Sequence, residues 1–382
     1  MNHALYPLKP MILTLTAALA LAACGGGTDS DSARSASAGA SNAGSSGSAS
    51  TVDCAAGDPA SADDPCLINR IDQLQALDPS GHYALAADID ASGTLDWNDG
   101  AGFQPLASFS GSLDGRGFTI AGLLINRPDD SNVGLFSGFA EGASVRELRF
   151  SNARITGDRF VGTLAGNVRA GQIHHVHVDG SVMAGEWAGG LVGALHDGAL
   201  VSHCSSRGQV QADGARVGGL VGQNDGTISH SFSLAAVRGR TSVGGLVGRG
   251  GGRIDHAYSL VDTADNPDHR VEGAHSGSQV GGLVGEIEAS ARISHAWTVS
   301  HAGTDSQRRY AGHRLVGKDW GTGEGIDASW WGGNQSIRPG SDASARRLDA
   351  MQQATTYEGW DFADTWRIDE GNGYPDLIAN PR

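Results

Sequence analysis

Val217-Gly218-Gly219-Leu220-Val221-Gly222 decides the reading of this chain, because the same phrase returns as Val243–Gly248 and again as Val280–Gly285. Looser copies come earlier, at Val133–Gly138, Val161–Gly166 and Ala188–Gly193, and a degenerate copy follows at Gly312–Gly317. The closing glycines of the phrases (138, 166, 193, 222, 248, 285 and 317) are separated by steps of 28, 27, 29, 26, 37 and 32 residues. Self-similarity at such a period marks an architecture of stacked repeats, each unit burying its apolar face on its neighbours. The anchors are Gly134 and Gly138, Gly162 and Gly166, Gly189 and Gly193, Gly218 and Gly222, Gly244 and Gly248, and Gly281 and Gly285. Glycines recurring at fixed places suit corners between short strands, where positive φ or close backbone approach excludes a Cβ.

Within each unit a turn follows the Gly-rich phrase, and a strand opening Ile-x-His follows the turn. Aligning these strands places Val145, Ile173, Val201, Ile228, Ile254, Ile293 and Ile326 in one column. Two residues on lies a second column: Glu147, His175, His203, His230, His256, His295 and Ala328. A third, four residues on from the first, ends in Phe232, Tyr258, Trp297 and Trp330. Short parallel strands about 4.8 Å apart satisfy this register. Parallel crossovers are overwhelmingly right-handed, so the expected fold is all-β, a right-handed parallel β-helix of about seven coils. The two longest steps imply loops, with 262–278 and 303–313 as candidates.

The five stacked histidines read as a structural ladder. Metal ligation needs donors converging on one point, whereas a ladder spreads them along an axis. A zinc or nickel site and a pH-sensitive element are the other readings of the same column. The aromatic column is a stacking platform for sugars if it faces solvent, and coil packing if it faces inward. Cys204, inside a repeat, reads as a buried small hydrophobe.

The N-terminus carries an address. Residues 1–23 hold a single cation, Lys9, and an apolar run from Met11 to Ala23, too short to span a bilayer and suited to a signal peptide. It ends in Leu21-Ala22-Ala23-Cys24, which resembles a bacterial lipobox. That resemblance implies lipidation of Cys24 (palmitate among the acyl groups), and Gly25 in place of Asp implies sorting to the outer membrane. Residues 24–52 form a Gly/Ser/Ala tether with no apolar core, reaching roughly 30 Å. In an oxidising compartment Cys54 and Cys66 are expected to pair. The remaining boundaries are an N-terminal cap at 53–132, the coils at 133–332 and a C-terminal cap at 333–382, whose aromatic ending reads as a lid on the last coil.

From about Asp53 onward the chain resembles the GLUG-motif family of bacterial surface proteins. The lead-in is matched by Tyr83, Leu85, Asp88, Ile89 and Asp90, then Phe109, Gly111, Asp114, Gly115, Gly117 and Ile120. The closing phrase is matched by Trp366, Ile368, Glu370, Gly371, Tyr374, Pro375 and Leu377. The resemblance implies a β-solenoid of the kind found in adhesin-like proteins and in the non-catalytic parts of secreted immunoglobulin A peptidases.

A formal charge of −15 over 382 residues excludes nucleic acid as an expected partner. No cofactor motif, His-Glu-x-x-His zinc site or Gly-x-Ser-x-Gly elbow is present. The acids Asp213, Asp225, Asp255, Glu286 and Glu288 fall at non-equivalent turn positions, which suits turns better than a catalytic pair. The expected function is therefore binding or adhesion at the cell surface, to an extracellular glycan or protein. A structural role in the envelope is the first alternative, and a polysaccharide lyase or glycosidase the second.

Overall fold

The computed structural model describes residues 61–261, 270–275, 278–300, 302–304, 315–320, 325–333 and 345–380. The chain divides into two units, Met1–Ser50 and Thr51–Arg382, and every described residue belongs to the second. Cys24, the tether and Cys54 lie outside the described residues.

The second unit is a parallel β-solenoid of about eight turns. The Gly-rich phrases make one face, pairing Phe136, Ala165, Val192, Val221, Val247, Val284 and Val316 rung on rung. The Ile-x-His strands make a second face in the register aligned above, from Val145 to Ile326. A third face stacks Ile125, Ile155, Val182, Val210, Val237, Val271 and Ala302. Between them the faces bury the motif leucines, Leu164, Leu191, Leu220, Leu246 and Leu283, completely. Each such leucine is worth roughly 1.5–3 kcal/mol of transfer free energy.

Two features depart from the spacing argument. Parallel pairing continues N-terminal to the first Gly-rich phrase, through Cys66–Ile68, His82–Leu85 and Ser112–Asp114. These rungs lack the glycine phrase, so a search for it passes over them. In addition, Val271–Gly273 falls in a stretch expected to loop, yet pairs as a rung between Val237–Gly239 and Ala302–Thr304. Residues 262–269, 276–277 and 305–314 lie outside the described residues.

The motif glycines are needed for proximity. None of Gly218, Gly244 and Gly281 has a positive φ. A Cβ at Gly218 would overlap Val221 O and lie 2.6 Å from Gly248 N, and Gly244 and Gly281 meet the same obstruction one and two coils on. Buried serines from the same coil fill the space beside the paired glycines: Ser206 Oγ donates to Gly219 O and Ser259 Oγ to Gly282 O, both at 2.6 Å. Positive φ is instead taken by residues that carry side chains, in two columns. One is Glu147, His175, His203, His230, His256, His295 and Ala328, at φ 41–53°; the other is Asn132, Phe160, Trp187, Arg216 and Ser242, at φ 52–62°. These left-handed residues turn the chain between faces. Asn and His tolerate that region better than most side chains.

The C-terminal segment covers the last coil and also extends beyond it. Ala345–Arg347 adds a rung beside Trp331–Gly333. Short 3₁₀ turns at Ala350–Gln352 and Ala354–Thr356 follow, then a two-residue antiparallel pair, Trp366–Arg367 with Asp376–Leu377. The segment runs back along the side of the solenoid. Trp360 Nε1 donates to Ala328 O (2.9 Å), Trp366 lies against His256 and Tyr258, and Asn380 reaches Cys204 and His230.

Candidate functional site

The histidine column forms a ladder. Ring centroids are 4.8 Å apart from His203 to His230 and from His230 to His256, and 4.6 Å from His256 to His295, with planes within 1–8° of parallel. The spacing equals the strand separation, so backbone register places the rings face to face. Asp255 supports the C-terminal end, with Oδ1 3.1 Å from His256 Nδ1 and 3.3 Å from His295 Nδ1. Burial disfavours the charged form of Asp255. His256, Ser294 and Arg253 outweigh that and hold its carboxyl well below the usual range. Burial, followed by the neighbouring histidines, pushes the His203 imidazole down to about 4. His230 is lowered by the same causes, and His177 falls to about 4 through burial and Arg149.

The ladder is imperfect at its N-terminal end. The His175 and His203 rings are 4.7 Å apart but inclined by 30°. His174 leans in from the adjacent strand position, its centroid 4.2 Å from His175 and 4.9 Å from His203.

The aromatic column is packed inward. Phe232, Tyr258 and Trp297 stack at 4.7 Å, within 3–9° of parallel, and all three are buried. The half-buried Trp330 continues the register, with the Arg346 guanidinium 4.0 Å from its ring centre. The reason is the returning C-terminal segment. Trp366, Tyr374 and Leu377 cover the column, and Tyr258 Oη donates to Asp376 Oδ1 at 2.8 Å. A sugar has no access to the buried Phe232, Tyr258 and Trp297 rings, so the stacking role offered for those three does not fit this packing; Trp330 keeps part of its surface in solvent. Cys204 is fully buried beside Val176 and Ser202, and burial pushes its thiol up to about 12.

A second array lies on the other left-handed column, and the sequence reading missed it. Phe160 and Trp187, on successive coils, pack edge to face at 4.6 Å. Arg216, on the next coil, lays its guanidinium 3.8 Å above the Trp187 ring. Arg159 sits over both rings and pairs with Glu186 at 3.0 Å. Phe160 and Trp187 belong to neither buried apolar cluster and keep part of their surface in solvent. From Arg216 the array continues onto the Gly-rich face. Arg216 donates to Gln223 Oε1 (2.7 Å), Arg249 lies 3.7 Å from Glu286 Oε1, and Glu286 accepts from Ser242 (2.6 Å) and from the Trp320 indole. Trp320 is 60% exposed, with Lys318 Nζ 3.4 Å from its ring centre. The column escapes notice in sequence because its members, Asn, Phe, Trp, Arg and Ser, are chemically unlike.

Where carboxyl groups of the described residues are displaced, the sense is the same. Every carboxyl group displaced from its ordinary value there is displaced downward: Asp72, Asp78, Asp90, Asp255, Glu286, Asp349 and Asp361. A general acid working near neutral pH needs the opposite shift.

No family model matches the chain. The chain is similar to Halomucin of Haloquadratum walsbyi, 38% identical over 155 residues, which is 38% of this chain and 2% of that protein. It is similar to Immunoglobulin A1 protease of Streptococcus pneumoniae, 32% identical over 170 residues, 42% of this chain and 8% of that protein. The chain therefore matches a small fraction of the length of either relative. Among solved structures it resembles an IgA1 protease chain with a TM-score of 0.51 at 15% identity, over 77% of this chain and 24% of that one. That likeness is one of fold.

Proposed function

We propose that the chain is a lipid-anchored, surface-displayed β-solenoid of the outer membrane that binds an extended extracellular ligand, a glycan or a protein. The observation that carries this reading is the array on Phe160, Trp187 and Arg216. Aromatic side chains, guanidinium groups and carboxylates follow one another along this edge, and Phe160, Trp187 and Arg216 each keep part of their surface in solvent. Aromatic faces bind sugar or peptide planes, and paired charges orient hydroxyls or side chains. The Leu21–Cys24 lipobox and the Gly/Ser/Ala tether after it support display away from the membrane. The downward-shifted carboxyls support binding in place of glycosidic catalysis. Likeness to small parts of two differently named proteins supports a module carried in various contexts.

The test is a glycan array and a matrix-protein panel probed with the native chain and with Trp187→Ala and Arg216→Ala. Loss of a native signal in both variants, with melting temperature retained, supports the reading. A native signal that both variants keep places the ligand elsewhere, and no native signal favours a structural role in the envelope. Protease accessibility on intact cells, native against Cys24→Ala, tests the anchor and the outward orientation separately.

A further inference from the structure

We propose that His174, His175 and His203 form a site for one transition-metal dication that accepts imidazole, of the Zn²⁺ or Ni²⁺ kind. A ladder alone spreads its nitrogens along the solenoid axis. His174 breaks that geometry. It stands on the strand position beside the column and leans against two ladder rings at 71–80° to their planes. The three residues each present a donor nitrogen within 4.8 Å of the others. In a tetrahedral shell with 2.0–2.1 Å bonds the donors sit about 3.3 Å apart, so closure needs a movement of about 1 Å per ring.

The surroundings are prepared for this. Nδ1 of His175 and Nδ1 of His203 are buried without a hydrogen-bond partner, a state that costs free energy unless something else satisfies them. His174 Nδ1 is held by Ser202 Oγ at 2.6 Å, which leaves Nε2 as the donor and fixes the ring, as outer-shell partners of metal ligands do. Glu147 Oε1 lies 3.2 Å from His175 Nδ1, off the direction a hydrogen bond would take. Its negative charge beside the His175 ring favours a cation there. A like grouping of Asp255, His256 and His295 exists further along. There Ser294 Oγ at 2.7 Å and Arg253 at 3.0 Å already occupy the carboxylate, and the two imidazoles are nearly parallel.

The experiment titrates Co²⁺ into the metal-free full-length chain at pH 7.5, with no histidine tag, following the visible ligand-field bands, and then displaces it with Zn²⁺. The expected result is one equivalent bound with tetrahedral bands, displaced by Zn²⁺, at a Kd on the order of micromolar or below. His174→Asn keeps an ordinary backbone position and can still bond Ser202, so it folds. It should weaken binding by more than the roughly 10–100-fold that loss of an outer-shell partner produces, while His295→Asn leaves binding unchanged. Several weak equivalents, equal binding in His174→Asn, or loss in His295→Asn would each overturn the assignment. His203→Asn serves as a second ligand variant, read by the same bands.

Discussion

Tyr258 donates its phenolic hydrogen to Asp376, 118 residues further along the chain, across 2.8 Å in a fully buried setting. Asp376 also accepts from Leu377 N (3.0 Å) and pairs with Arg367 (3.1 Å). The bond therefore ties the middle of the aromatic column to a carboxylate that the C-terminal segment itself holds in place. Tyr258→Phe should cost about 1.5–3 kcal/mol, the usual worth of a hydrogen bond to a charged group, read by urea unfolding. A change within about 0.5 kcal/mol would mean the segment is fastened elsewhere.

Removing residues 345–380 should uncover Phe232, Tyr258 and Trp297 while leaving rung pairing in place. The measurement is binding of a hydrophobic dye together with far-ultraviolet circular dichroism. Strong dye binding with an unchanged strand spectrum is expected. Loss of both signals together would show that the segment is integral to the coils.

Gly244→Ala should destabilise the solenoid at or above the upper end of the roughly 1–3 kcal/mol range for overpacking, because the added methyl meets backbone on two rungs. Gly93→Ala has open space around it and an ordinary φ, and should change stability by no more than about 0.5 kcal/mol. Equal melting temperatures for the two variants would refute the close-approach account.

Acid should weaken the metal-free protein. The folded-state pKa of His203 is about 4, against 6.5 ordinarily, so its contribution is complete above 6.5 and is lost as pH falls toward 4. His177 acts in the same sense over the same window. The groups facing these rings divide: Glu147 and Asp255 favour protonation, while Arg146, Arg149, Arg207 and the neighbouring imidazoles oppose it. The expected outcome is a melting temperature several degrees lower at pH 5 than at pH 7.5, with the difference reduced in His203→Asn. A flat profile would count against neutral imidazoles in the ladder.

Much of the fold is legible in the sequence. Repeat spacing gave parallel rungs, and aligning Ile254 with Ile293 placed His256 on His295 and Tyr258 on Trp297. What stayed hidden has physical causes. A column can be aligned only when its members resemble one another, so the ladder was visible and the Phe160, Trp187, Arg216 column was not. A return contact such as Asn380 on Cys204 has no periodic signature, so the C-terminal segment read as an end cap and the aromatic column kept two readings. The role of the glycines was half legible, since spacing fixes where a Cβ is forbidden but not whether φ or a neighbouring carbonyl forbids it.

The left-handed corners have one more implication. Had glycine filled them, the edge of the coil would be bare backbone. Because Asn132, Phe160, Trp187 and Arg216 fill four of them, four successive turns each place one partly exposed side chain outside the apolar interior. The lettering of that edge can be rewritten residue by residue while the path of the coil stays the same. Surface chemistry and fold are thereby carried by different positions of one repeat.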